Sequence, residues 1–219
     1  ASFETATSVL FGLLRVTCVL GLGVCTFGMA YSRLLLSVYG GQLLVSGTGP
    51  TMLKSYCAYV LLLALNGITE CFAFATMSND QVMSHSRFMI GSSVVYLLLH
   101  WMLSTLFGGV GFILANCANM VVRIVYSLRY IRTFYRDVPD AQPTSHLIPT
   151  ASTAGILLAS LLFTLLSELI FCCDGFFNSA AHVTVGAVFF LFTGLVIYSS
   201  DFALVAFAER FIFLRHKID

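Results

Sequence analysis

Charge is scarce in this sequence. Asp, Glu, Lys and Arg make up 10% of its 219 residues, against 58% hydrophobic residues. With a mean hydropathy of +0.93, the composition excludes a large soluble domain within these residues and points to an integral membrane protein. The formal net charge of +1 comes without a basic tract, so no nucleic-acid partner is expected. No CxxC pair and no Cys/His metal spacing occurs. Five of the seven cysteines (Cys18, Cys25, Cys57, Cys71, Cys117) sit in apolar stretches and read as small buried hydrophobes, with adjacent Cys172 and Cys173 as the exception. A Gly-rich phosphate loop, a nucleophile elbow and paired catalytic carboxylates are all missing, so no enzyme and no cofactor are expected. There is no N-x-S/T sequon and no signal-peptide pattern. The chain opens on Ala1 rather than Met, and the expectation is a part of something longer.

What is present is a series of apolar runs. A window of about 20 apolar residues per crossing predicts six membrane helices near 8–31, 53–77, 87–107, 109–131, 151–173 and 181–200. The stretch 32–52, with "YGG" and "SGTGP", is expected to hold a short interfacial helix and a loop. The last stretch, 201–219, sets apolar residues against Glu209, Arg210, Arg215 and Lys217, which predicts an amphipathic helix on the cytosolic surface rather than a seventh span. One set of connections collects Arg87, Arg129, Arg132, Arg136, Arg210, Arg215 and Lys217; the other collects Arg33 and Lys54. That asymmetry predicts that both ends of the chain are cytosolic.

Three ionisable residues fall inside the spans: Arg15, Glu70 and Arg123. Each lies some seven residues from the expected cytosolic end, or about 10 Å at 1.5 Å per residue. Asn116, Asn119 and Arg123 step by three and four and so share a helical face, with Gly111, Ala115 and Ala118 forming a small-residue ridge beside it. On the second span Tyr59, Asn66 and Glu70 form a similar stripe. Several readings of these groups stand side by side. Arg15 can snorkel to the headgroups. Glu70, with its shorter reach, needs a cation, a proton or water, and a packing pair with Arg123 or Arg15 competes with a hydrated cavity for a polar ligand. Asn116 and Asn119 can serve as interhelical hydrogen-bond glue. His100 and His182 lie on different helices and make no metal site. Glu168 and Asp174 read as solvated boundary charges, and Asp201 marks a cytosolic helix end.

The strings "KSYCAYVLLLALNGITECFAFATM" (54–77) and "GGVGFILANCANMVVRI" (108–124), with "FGMAYSRLLLSVYGG" (27–41) before them and "SELIFCC" after, resemble the Rft family of endoplasmic-reticulum proteins. The resemblance implies an all-α, polytopic membrane protein. Its six or so helices would form part of the C-terminal lobe of a fold similar to multidrug and lipid-linked-oligosaccharide exporters. It implies a dolichol-linked oligosaccharide and membrane lipids as partners, together with an N-terminal lobe lying outside these residues. The implied function is translocation of the dolichol-diphosphate-linked heptasaccharide intermediate of N-glycosylation. Joined to depth and face, it makes Arg123 the first choice and Arg15 the second for contact with a diphosphate, with Glu70, Asn66, Asn116 and Asn119 holding or tuning them. Two other readings stay open: a non-transporting factor that assists assembly of the same glycolipid, and a proton- or cation-coupled exporter using Glu70.

Overall fold

The computed structural model describes residues 2–136, 148–172, 175–202, 204–207 and 209. Among them are five long helices and no strand: α1 (Ser2–Val45), α2 (Gly49–Thr76), α3 (Asn79–Phe134), α4 (Ala151–Phe171) and α5 (Phe176–Ser200). Each is long and apolar enough to cross a bilayer, and the chain is a polytopic all-α membrane protein.

One of the five is two crossings in one. As a straight rod, α3 would run about 84 Å, yet residues far apart along it touch. Phe88 stacks on Tyr126 at 4.2 Å between ring centroids, the Tyr96 hydroxyl donates to Asn116 Oδ1 at 3.1 Å, and His100 meets Phe112 edge-on at 4.8 Å. All three pairs are centred just before Gly108, whose φ of +58° and ψ of −135° break the helix. An L side chain adopts that φ only with strain, whereas glycine adopts it freely. The reversal yields antiparallel limbs 79–107 and 109–134, about 43 and 39 Å long. Each exceeds a hydrocarbon core of about 30 Å. The runs expected at 87–107 and 109–131 lie on these limbs.

Between the first two runs the structure differs from expectation. In place of a separate interfacial helix, α1 continues to Val45 through a non-helical Gly41, and a bend at 46–48 leads to Pro50 in the first turn of α2. Leu34, Leu35, Leu36 and Val38 extend the first helix beyond the expected span, and its backbone is non-helical at Gly41. Most of the expected surface helix lies outside the described residues, although 202, 204–207 and 209 are helical. Cys18 and Cys25 are buried as expected, but Cys57 and Cys117 are half-buried and Cys71 is exposed. Cys172 is disulfide-bonded, while Cys173 lies outside the described residues.

The chain forms two compact units. The first comprises Ala1–Leu34 and His146–Asp219. In it α5 runs antiparallel to α1, with Arg15 on Asp201 and Phe27 edge-on to Phe190. It is also antiparallel to α4, through Ser160–Thr193 and Phe163–Phe189. The buried seam of α4 reads Thr153, Leu157, Ser160, Thr164, Ser167, alternate steps of four and three that keep small residues on one face. Their hydroxyls are satisfied locally: Thr164 donates to the Ser160 carbonyl at 2.6 Å, and the Ser160 and Thr193 hydroxyls share a hydrogen bond at 2.8 Å. Small hydroxylated residues allow close helix approach in lipid, where apolar area alone gives helices no reason to associate.

The second unit is Leu35–Ser145. Here α2 lies parallel to the second limb of α3, with Glu70 on Arg123 and Phe72 edge-on to Phe134. The first limb runs the other way. It starts at a capping box in which Gln81 Oε1 accepts from the Ser78 backbone N–H at 2.9 Å.

Candidate functional site

The site is built from one helical repeat on α2 and one residue on each limb of α3. Asn66 and Glu70, four apart, project from the same face of α2, and Asn66 Nδ2 donates to Glu70 Oε2 at 2.9 Å. From the second limb, Arg123 Nη2 donates to both oxygens of that carboxylate at 2.7 Å. From the first limb, His85 Nε2 approaches Glu70 Oε1 at 3.6 Å, too far for a hydrogen bond. The ring of His85 is fully buried between Phe74, edge-on at 4.8 Å, and Tyr126 at 4.9 Å. The side chains of Glu70 and Arg123 retain 13% and 31% of their exposure. The arginine thus reaches outward from a carboxylate that is nearly enclosed.

Satisfaction of this cluster is incomplete. Asn66 Oδ1, Arg123 Nε and both ring nitrogens of His85 are buried without a hydrogen-bond partner, and so is the Ser127 hydroxyl, one turn beyond Arg123. Buried polar atoms are almost always paired, and unpaired ones concentrate where a structure does something besides fold.

The remaining expected residues sit elsewhere. Asn116 donates to the Phe112 carbonyl and accepts from Tyr96. It lines a cavity of about 640 Å³ with Met52, Tyr56, Tyr59 and Ser104 near the hairpin tip. Asn119 lines a different and more apolar cavity of about 430 Å³ between the two limbs, with Phe88, Tyr96 and Leu99. The shared face of Asn116, Asn119 and Arg123 is real in the helix, but α2 and the first limb divide it into separate environments.

Arg15 belongs to the first unit and is held there. Its Nε donates to Asp201 Oδ1 at 2.9 Å and its Nη2 to Oδ2 at 2.9 Å. Asp201 Oδ1 also accepts the Leu204 N–H at 3.3 Å, capping the turn that follows α5. Asp201 is therefore the fixed partner of Arg15 as well as a helix-end marker, and its side chain is 1% exposed. Glu168, expected as a solvated charge, is buried, because the α4 seam continues inward to its position.

Two histidines complete the picture. His182 is a satisfied core residue: its Nε2 lies 3.3 Å from the Ala30 carbonyl, which can only accept, so Nδ1 accepts from the Ser167 hydroxyl at 2.8 Å. Tyr31 stacks on the ring at 4.3 Å and donates to the His182 carbonyl. Gly186 makes this possible, since a Cβ there would collide with the Tyr31 hydroxyl. His85 escaped the sequence reading because the third span was expected to begin at residue 87. The signal that could have found it is its place four residues past the Ser78–Gln81 box, already within the helix. No group of three or more metal-ligating side chains occurs among the described residues.

These features define a multi-pass helical membrane protein with an intramembrane carboxylate–guanidinium cluster. The chain belongs to the Rft family, whose model, described as "Rft protein", matches residues 1–210. It is 41% identical over 213 residues to the Xenopus tropicalis Man(5)GlcNAc(2)-PP-dolichol translocation protein RFT1, covering 97% of this chain and 39% of that protein. The Mus musculus protein of the same description is 42% identical over 184 residues, covering 84% of this chain and 34% of its own length. The Saccharomyces cerevisiae protein is 33% identical over 139 residues, or 63% and 24% of the two chains. The chain thus spans about two fifths or less of these curated relatives. No solved structure matches it.

Proposed function

We propose that the protein moves a dolichol-diphosphate-linked oligosaccharide from the cytosolic to the luminal leaflet of the endoplasmic-reticulum membrane during N-glycosylation, and that Arg123 contacts the diphosphate. The names of its curated relatives supply the cargo class. The single observation that carries the residue assignment is Arg123 itself. It is a permanently charged group within an apolar helix, its Nη2 is held by Glu70, its Nε is unpartnered, and 31% of its side chain is still exposed. A guanidinium binds phosphate oxygens through a planar fork of donors. With both ends of the chain cytosolic, as the Lys/Arg asymmetry indicates, Arg123 lies about 10 Å below the cytosolic surface, the side on which the cargo would enter.

Asn66 and Glu70 support the assignment by holding the guanidinium in place. Asn116 belongs to the wall nearer the lumen, and Asn119 to the cavity between the limbs. Arg15, already bidentate on Asp201, serves packing better than ligand contact. In this reading the rest of the full-length protein supplies the opposing wall of a cavity, in an exporter-like two-lobed arrangement. The 2.7 Å clamp of Arg123 on Glu70 favours a second reading, a non-transporting factor in glycolipid assembly whose ion pair only fixes α2 against α3.

The test uses full-length protein in vesicles free of other endoplasmic-reticulum proteins, following leaflet exchange of the glycolipid. Arg123→Ala should slow exchange by at least about tenfold, as expected for loss of a charge-assisted contact, while the protein stays folded. If wild-type protein gives no more exchange than empty vesicles, the non-transporting reading takes its place. Exchange that requires an imposed proton or sodium gradient points instead to a cation-coupled exporter.

A further inference from the structure

Arg123 cannot serve two anions at once. If its guanidinium turns from Glu70 to a diphosphate, a nearly enclosed carboxylate loses its counter-charge, and a buried charge without a partner is strongly unfavourable. The surroundings of Glu70 therefore matter. On its own helix it has Asn66, a neutral donor. From the second limb it meets Arg123, and from the first limb His85, whose ring Tyr126 of the second limb contacts. His85 is fully buried, its two ring nitrogens have no hydrogen-bond partner, and its Nε2 is 3.6 Å from Glu70 Oε1. Among the described residues, Arg123 and His85 are the two that bring a cationic or protonatable nitrogen within 4 Å of the carboxylate.

We propose that His85 is a proton-binding site that replaces Arg123 as the partner of Glu70 when Arg123 engages the anionic headgroup. One proton passes from cytosolic water to the His85 ring. The imidazolium then closes on Glu70 Oε1 as a charge-assisted hydrogen bond, and the proton returns to water when the headgroup leaves and Arg123 swings back. The net charge of the pocket residues other than Arg123 is −1 before the exchange and zero after it. The carboxylate thus keeps one cationic partner throughout. In this scheme the unpaired ring nitrogens are the capacity the cycle uses, and His85 acts through Glu70 without touching the cargo. The inference rests on the diphosphate reading above, and it adds that headgroup binding takes up a proton.

The experiment is calorimetric titration of full-length protein in nanodiscs with a short-chain analogue of Man(5)GlcNAc(2)-PP-dolichol, run in buffers of different ionisation enthalpy and repeated between pH 6 and 8.5, a range of roughly the histidine titration. Wild type should take up close to one proton per ligand near the top of the range, and its affinity should fall as pH rises. Uptake on binding means that the bound state holds more protons, which gives this sign. His85→Gln keeps a polar side chain but cannot titrate; it should abolish the uptake, flatten the pH profile and bind about tenfold more weakly at low pH. Glu70→Gln removes the charge that needs compensation, so Glu70→Gln and Glu70→Gln/His85→Gln should bind alike, a result that a merely structural histidine would not give. Proton uptake that survives His85→Gln, or an unchanged pH profile in that variant, overturns the role of His85 while leaving diphosphate binding intact. Wild-type protein that is folded yet does not bind the analogue overturns the diphosphate reading and this inference with it.

Discussion

The two units each contain an arginine–carboxylate pair within apolar helices, and the pairs are not alike. In the first unit, Arg15 and Asp201 are bidentate, the side chains are 13% and 1% exposed, and the carboxylate has a further backbone donor from Leu204. His182, at the other end of α5 in the same unit, has both ring nitrogens occupied. In the second unit, Arg123 uses one nitrogen for two oxygens, its Nε is idle, and His85 has neither ring nitrogen bonded. Among the described residues, the buried polar side-chain atoms without partners all belong to the second unit. A pair whose bonds are all made can only hold helices together. One surrounded by unmade bonds can exchange partners at low cost, and that difference separates a staple from a binding site more clearly than depth or residue type.

Breaking the staple should have the largest effect on stability. Asp201→Ala leaves the Arg15 guanidinium buried and unpaired and should cost about 3 kcal/mol, read as the unfolding midpoint of full-length protein in detergent. Replacing both partners, Arg15→Met with Asp201→Leu, should recover most of the loss. An Asp201→Ala protein as stable as wild type would end the distinction between the two pairs. A smaller loss is expected from His182→Leu, which strands the Ser167 hydroxyl and the Ala30 carbonyl and should cost about 1–2 kcal/mol; unchanged stability there would show that this junction is not structural. The smallest effect sharpens the comparison from the other side. Ser127→Ala deletes a buried hydroxyl that has no partner, so stability should stay level or rise by at most about 1 kcal/mol. A clear loss would mean that the second unit is as fully bonded as the first.

Much of the site was legible before the fold was known, and the reasons are local. Asn66 and Glu70 share a face because they are four apart, and Arg123 could be matched to Glu70 because helix rise fixes depth. The pairing of Glu70 with Arg123 rather than Arg15 was not legible. Both arginines sit at the same expected depth, and nothing in one dimension says which helix neighbours α2. Asp201 was read as a boundary marker for the same reason: its partner is 186 positions away. Asn119 shows the limit of face arguments, since a shared stripe on the second limb is divided once α2 and the first limb pack against it.

By itself the sequence determined the solvent, the helical class and the approximate crossings, because apolar composition and the length needed to traverse hydrocarbon are properties of a segment alone. It also set a break between the third and fourth crossings at residue 108. Only tertiary structure decided that Arg15 is spent on Asp201, and that a histidine near the edge of an expected span is enclosed beside Glu70. Those outcomes depend on which helices touch. In lipid, where apolar area drives no association, helix contact is set by close packing and by the few polar groups that must find one another across long stretches of chain.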